Sequence, residues 1–310
     1  MRGRLIAAFA AVYIIWGSTY LAIRFAVETL PPLLMAGARF GISGLILLAW
    51  ERSRNPRGPS RLDWRTGLIS STLLILGGNG AVVWAEQRVT SGVAALLVAV
   101  VPVWMVLLEW LRPGGKRPPL LVFVGLALGL AGLVVLIGPD TSAPGASPGA
   151  SVDLLGAIVL TLASLAWALG SLYIKHAPRP STGLYGAATQ MVMGGAWLVL
   201  ASLLGGEFGH MDLAHASSRS IIGFVYLTTF GSLIGFTAYF YLLAHTTAAK
   251  ASTYAYVNPV VAVFLGWLLA HEPVTMHTVM AAAVILAGVA IITVAHESVA
   301  SEEGEEPATA

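Results

Sequence analysis

The sequence predicts an all-α membrane protein of ten transmembrane helices, built as two five-helix repeats of inverted topology. Three observations carry this. Of 310 residues, 57% are hydrophobic and 10% charged, against about 25% charged in an ordinary soluble domain. Ten apolar stretches are each long enough to cross a hydrocarbon core of about 30 Å, which takes roughly 20 helical residues. The last five stretches repeat features of the first five in the same order. Five is an odd number, so the second set enters the membrane upside down.

The stretches are 5–27, 32–51, 66–86, 91–111, 119–138, 154–175, 183–204, 220–243, 250–270 and 275–295. The first follows Met1, Arg2, Gly3 and Arg4. A signal peptide is set aside, because the apolar run is too long and Trp16, Tyr20 and Arg24 suit one poorly. The connections divide by charge. Arg2, Arg4, the five arginines of 52–65, Arg112, Lys116, Arg117, Lys175, Arg179 and Lys250 place 13 basic residues on one side, and only Arg88 and Arg219 fall on the other. The positive-inside rule makes the first side cytoplasmic and both termini with it. Residues 139–153, rich in Pro, Gly, Ala and Ser, read as an external linker between repeats 5–138 and 154–295. The polar, acidic residues 296–310 read as a disordered cytoplasmic tail.

The repeat is weak but ordered. Trp16 and Arg24 of span 1 match Trp167 and Lys175 of span 6 at an offset of 151. Pro102, Leu108 and Trp110 of span 4 match Pro259, Leu265 and Trp267 of span 9 at an offset of 157. Ala131 and Gly132 of span 5 match Ala287 and Gly288 of span 10 at an offset of 156.

Four segments carry a family resemblance: 13–20 (Tyr-Ile-Ile-Trp-Gly-Ser-Thr-Tyr), 36–40 (Ala-Gly-Ala-Arg-Phe), 252–260 (Ser-Thr-Tyr-Ala-Tyr-Val-Asn-Pro-Val) and 271–273 (His-Glu-Pro). They resemble the two EamA domains of the drug/metabolite transporter (DMT) superfamily, and within it the YedA-type exporters of the inner membrane. The resemblance spans about residues 5 to 295. It implies a basket of two inverted halves, with a central cavity walled by spans 1, 3, 4, 6, 8 and 9, and it implies export. One feature departs from the family pattern. Glu272 fits the acidic turn that closes the fourth helix of a repeat, but the first repeat has Arg112, Pro113, Gly114 and Gly115 there.

Span 1 places Tyr13, Trp16, Tyr20 and Arg24 at spacings of 3, 4 and 4, hence on one helical face. Span 6 repeats the spacing with Ser164, Trp167, Ser171 and Lys175. Lipid does not reward hydroxyls, indoles and charge in a stripe, so these faces line a cavity or pack against partner helices. Trp16 and Trp167 lie near mid-bilayer, away from the interfacial belt. In span 3, three glycines around Asn79 allow close approach or local unwinding, and Asn79 brings donors and an acceptor. Pro102 and Pro259 interrupt spans 4 and 9 at matching places, marking a hinge or binding site, or else a static kink. Tyr254 and Asn258 share a face beside Pro259. Trp16, Tyr20, Asn79, Trp167, Ser171, Tyr254 and Asn258 are therefore the expected substrate-binding set.

Charges within the spans are few. Arg24, Arg39 and Glu86 lie at one leaflet level. Arg39 with Glu86 is the expected pair, either a structural clamp or an outer gate. Lys175 mirrors Arg24 at the inner face, where it serves as a gate or as a plain positive-inside anchor. Gly125 with Gly129, and Ala283 with Ala287, form small-residue pairs on spans 5 and 10, read as packing within one chain.

No HExxH, GxSxG, phosphate-binding loop or buried carboxylate dyad is present, which argues against an enzyme. Cysteine is absent, which excludes disulfides, thiolate metal sites and cysteine nucleophiles. No cofactor or metal is expected. The net charge of +2 is too small to expect nucleic acid as a partner. The expected partners are a small-molecule substrate and the bilayer, with the chain a monomer. A secondary transporter is the leading reading. The alternative is a passive facilitator or channel, or a membrane sensor, though no charge ring or filter sequence marks a channel.

Overall fold

The computed structural model describes residues 2–115, 117, 119–137, 153–178, 183–210, 212–246 and 251–304, and among them every regular element is a helix. The expected linker lies outside the described residues apart from Asp153. Seven helices are long and apolar enough to cross a membrane: α1 (Gly3–Ala26), α2 (Pro32–Arg54), α3 (Arg61–Ala85), α4 (Ser91–Leu111), α6 (Leu154–His176), α7 (Leu184–Leu204) and α8 (Ser218–His245). Between and after them run α5 (Leu120–Ile137), α9 (Tyr254–Ala270) and α10 (Met276–Gly304). α10 keeps helical geometry nine residues past the span end drawn at 295, since Glu302 and Glu303 are good helix formers and no glycine follows Gly288 until Gly304. Residues 305–310 lie outside the described residues.

Local chemistry sets the helix ends. Ser60 and Asp63 form a capping box at the start of α3, so that helix begins at Arg61 and not at the span start drawn at 66. Thr90, Asp153 and Ser217 cap α4, α6 and α8 through their side chains. α9 stops at His271, which takes the left-handed conformation (φ 52°), and Pro273 follows.

Each half packs against the other. α2 crosses α7 on a glycine seam: a Cβ on Gly44 would fall 2.6 Å from Val192 N, and one on Gly195 would fall 2.6 Å from Gly41 N. α5 crosses α10 as tightly. A Cβ on Gly132 would meet Ile285 N at 2.9 Å, and one on Gly288 would meet Gly129 N at 2.6 Å. These two contacts exchange under the offset of 156, as a two-fold relation between repeats requires. The small-residue seam is therefore internal to the chain. Its α10 side uses Ala281, Ile285 and Gly288, whereas Ala283 and Ala287 are exposed. An alanine-rich helix offers several small faces, and only one meets the partner.

The two prolines act differently. The turn at Ala99 and Val100 divides α4 just before Pro102, because Pro102 lacks the N–H that would continue the ladder. Pro259 sits inside α9, whose preceding turn is at Ser252 and Thr253.

Candidate functional site

Three of the long helices widen into π-helix where they meet at the centre of the bundle: Val12–Trp16 in α1, Thr72–Gly80 in α3 and Leu227–Ile234 in α8. Such segments recur at functional sites, because they rotate side chains out of the ordinary register. Here they bring Trp16, Asn79 and Gly231 to one cavity of about 60 Å³.

Glycine makes this approach possible. A Cβ on Gly235 would collide with Trp16 Nε1, one on Gly78 would lie 2.8 Å from Trp167 Cε3, and one on Gly231 3.1 Å from Thr19. The Trp16 indole donates to Gly231 O at 3.2 Å. Around it stand Trp167, Phe236, Tyr239 and Tyr254, with ring centroids 5.3, 5.4, 4.9 and 5.3 Å from that of Trp16. Such offset and edge-on geometries are the favourable ones for aromatic pairs.

Six of the seven residues expected to bind substrate line this cavity: Trp16, Tyr20, Asn79, Trp167, Tyr254 and Asn258. Asn258 is placed to donate its amide nitrogen to the carbonyl oxygens of Tyr254 and Tyr13, 3.2 Å from each. Ser171 is not in the wall. It is fully buried behind it, where its hydroxyl bonds Trp167 O (2.8 Å) and the Tyr239 hydroxyl (2.7 Å). A residue four positions along a stripe shares the face but lies about 6 Å farther along the axis. Ser171 thus bonds Tyr239 and lies outside the cavity wall. Phe236 and Tyr239 were missed by the sequence reading; the aromatic run that follows Gly231 and Gly235 was their signal.

The charges depart from expectation. Arg39 is 2% exposed and lines the cavity, so α2 joins the wall. Its Nη2 donates to Asn79 Oδ1 at 2.5 Å, while Nε and Nη1 have no acceptor. Glu86 is fully buried and neither carboxylate oxygen has a hydrogen-bond partner. The Arg39–Glu86 pair does not form. Asn79 lies two helical turns before Glu86 on α3 and intercepts the guanidinium. Arg24 instead reaches the main-chain oxygen of Glu86 (3.3 Å). Lys175 is exposed near the end of α6, where Glu109 of α4 lies 3.4 Å from His176 Nε2.

At the opposite end of the bundle two carboxylates of the second half close on helix starts of the first. Glu207 accepts from Leu33 N (3.1 Å) and Leu34 N (2.9 Å) of α2. Glu272 accepts from Ser91 N (3.0 Å), Ser91 Oγ (2.8 Å) and Gly92 N (3.4 Å) of α4. Each places negative charge at the positive end of a helix dipole. Among the described residues no group of three or more His, Asp or Glu is placed to hold a metal ion.

Comparison with known proteins agrees with this architecture. The model of the EamA-like transporter family matches residues 3–138 and 154–294. The chain is 38% identical over 290 residues to the uncharacterized inner membrane transporter YedA of Escherichia coli (strain K12), covering 93% of this chain and 90% of YedA. It is 25% identical over 283 residues to the uncharacterized transporter YoaV of Bacillus subtilis (strain 168), covering 90% and 93%. A crystal structure 19% identical in sequence superposes with a TM-score of 0.65, covering 96% of this chain and 99% of that one, which is a likeness of fold.

Proposed function

Because this chain belongs to the EamA-like transporter family, carrying its domain twice, we propose that it is a secondary transporter that exports a small organic metabolite or drug across the inner membrane by alternating access. The observation that carries the reading is the central cavity, walled by both repeats and about 60 Å³ in volume. Pockets that hold small organic molecules have about 300–1,000 Å³. A centre this narrow must widen to take a solute, as a carrier that alternates between arrangements does. A constantly open facilitator, the second reading, is poorly served by so narrow a centre.

In this reading all ten helices cross the bilayer, with both termini and the arginine-rich 52–65 connection cytoplasmic. The wall of indole, phenol and amide groups suits an amino-acid-like, aromatic or cationic amphipathic solute. Trp16, Tyr20, Asn79, Trp167, Tyr254 and Asn258 contact it, and Ser171 supports the wall through Tyr239. Pro102, beside the turn at Ala99 and Val100, and Pro259 provide the hinges. Arg24, Arg39 and Glu86 govern one end of the path and Lys175 the other. The chain works as a monomer in the bilayer, without cofactor, metal, nucleic acid or catalytic chemistry.

Uptake into proteoliposomes tests this. With a panel of candidate solutes, flux should saturate and internal solute should accelerate external uptake by counterflow. Running the panel with and without a pH gradient reports any proton coupling. Flux that rises linearly with concentration and shows no counterflow would sink the carrier reading in favour of a facilitator.

A further inference from the structure

Among the residues that line the cavity, the buried side-chain atoms without a hydrogen-bond partner are all donors. Arg39 Nε and Nη1 are buried donors without acceptors, and Trp167 Nε1 lies beside the Tyr239 and Tyr254 hydroxyls without a well-aligned bond to either. Asn79 spends its oxygen on Arg39, which leaves its amide nitrogen as a further donor. No carboxylate belongs to the described wall. Glu86 is near enough to matter electrostatically, but it lies outside the wall and its oxygens bond nothing. A guanidinium cannot shed its proton to escape burial, and an unpaired buried donor is costly, a charged one most of all. Several such donors held around one small space mark where an acceptor-rich group fits. The remainder of the wall is aromatic and aliphatic, with Trp16, Phe236 and Tyr254 facing Ile23, Val82 and Val98.

We propose that the solute carries a carboxylate, held by Arg39, Asn79 and Trp167 Nε1, and a flat apolar body that lies among Trp16, Phe236 and Tyr254. This deepens the transport reading and rests on it for the site. The guanidinium fork is the usual partner of a carboxylate. An amine head meets like charge from Arg39 and finds no counter-ion in the wall. The site therefore selects organic carboxylates from the broader set and rejects simple cationic amphipaths, even though indole faces by themselves attract cations.

Thermal unfolding of the purified full chain, titrated with a matched series, tests the assignment. The probes are 3-phenylpropionate, 3-phenylpropionamide and 3-phenylpropylamine, with their three 2-naphthyl counterparts to separate head group from size. A ligand that binds the folded state raises its melting temperature by mass action. The carboxylates should bind about tenfold or more tighter than the amides, the size of one charge-assisted contact, and the amines should give no shift. Arg39→Gln should bring the carboxylate down to the level of the amide. Trp167→Phe, which keeps a ring and removes the donor, should narrow the same gap and covers the case in which Arg39→Gln does not fold. Amines that bind as well as carboxylates, a preference that survives Arg39→Gln, or no shift with any carboxylate would overturn the proposal. Counterflow of the same probes separates the two readings. Neutral or cationic probes that are carried while carboxylates are not end the carboxylate assignment and leave the transporter. Carboxylates that bind through Arg39 and are never carried end the transporter and leave the binding site.

Discussion

The indoles of Trp16 and Trp167 meet edge to face, with centroids 5.3 Å apart and planes at 85°. They occupy matched positions of the two repeats, so the contact lies on the relation that joins the halves. Both rings also face the cavity. Replacing either by alanine should weaken solute binding about 5- to 150-fold, the equivalent of about 1–3 kcal/mol for a stacking or bonding group in a desolvated site. The two losses should not add, because direct aromatic pairs couple by about 0.5–1.5 kcal/mol. Solute affinities of both single mutants and the double mutant decide this. Unchanged affinity with lowered melting temperature would reduce the pair to packing.

The glycines that admit these rings should tolerate no methyl group. Gly235→Ala places a Cβ on Trp16 Nε1, and Gly78→Ala places one 2.8 Å from Trp167. Each should cost about 1–3 kcal/mol through overpacking. Gly41→Ala is the control: its Cβ meets nothing within 4 Å, and removing a helix-interior glycine gains about 0.5–1 kcal/mol. Melting temperatures should fall, fall and rise in that order. A stable Gly235→Ala protein would show that the Trp16 indole has room to turn away.

Glu86 and Arg39 give opposite expectations for similar burial. The Glu86 carboxyl group is fully enclosed and makes no hydrogen bond, so Glu86→Gln, which keeps the shape without an ionisable group, should be neutral or stabilising. Breaking a buried ion pair would instead cost about 3–5 kcal/mol. Arg39 holds Asn79, and Arg39→Gln should lower stability and should not be rescued by Glu86→Gln. Denaturation of the two singles and the double is the measurement. Mutual rescue would restore the ion pair that the sequence led us to expect.

These cases mark where sequence reasoning reaches and stops. The Trp16 and Tyr20 stripe, Asn79, Tyr254 and Asn258 were legible because helical periodicity assigns a face and the repeat supplies a second copy of the evidence. Ser171 satisfied the same periodicity and still fell behind the wall, because sharing a face says nothing about depth along it. The partner of Arg39 was illegible for a related reason. A long side chain takes whichever polar group helix rotation brings near, and the π turns of Thr72–Gly80 shift that rotation. The glycines around Asn79 hinted at this segment, but Val12–Trp16 contains no glycine and gave no warning. The α10 seam was misread by register, since period alone does not choose among several small faces.

The sidedness of the bundle is open to direct test, and the absence of native cysteine makes single-cysteine labelling clean. Arg57 lies in the basic 52–65 connection, and Gly209 lies in the connection between α7 and α8, where a Cβ meets nothing within 4 Å. An impermeant thiol reagent applied outside intact cells should label Gly209→Cys and spare Arg57→Cys until the membrane is opened. The reverse pattern would invert the orientation, and labelling of both from outside would contradict an odd number of crossings between them.

Glu272 offers the last prediction. It follows α9 and turns back to bond both the main chain and the side chain of Ser91 at the start of α4, with Gly266 leaving the space its carboxylate fills. The family-like acidic turn that the sequence showed without a symmetric partner is thus a cap supplied across the repeat boundary. The first half has Arg112 and Pro113 at the matching turn. Glu272→Ala leaves the Ser91 and Gly92 N–H groups buried without an acceptor and should cost about 1–3 kcal/mol. Glu272→Gln keeps one acceptor oxygen but loses the charge that favours a helix N-terminus, so it should cost less, near 0.3–1 kcal/mol by rough estimate. Ser91→Ala should show coupling to Glu272→Ala, because the two share one bond, whereas Ser202→Ala, whose partner is Glu207, should add independently. A Glu272→Ala protein as stable as the parent would mean that the contact between α4 and α9 is held by apolar packing alone.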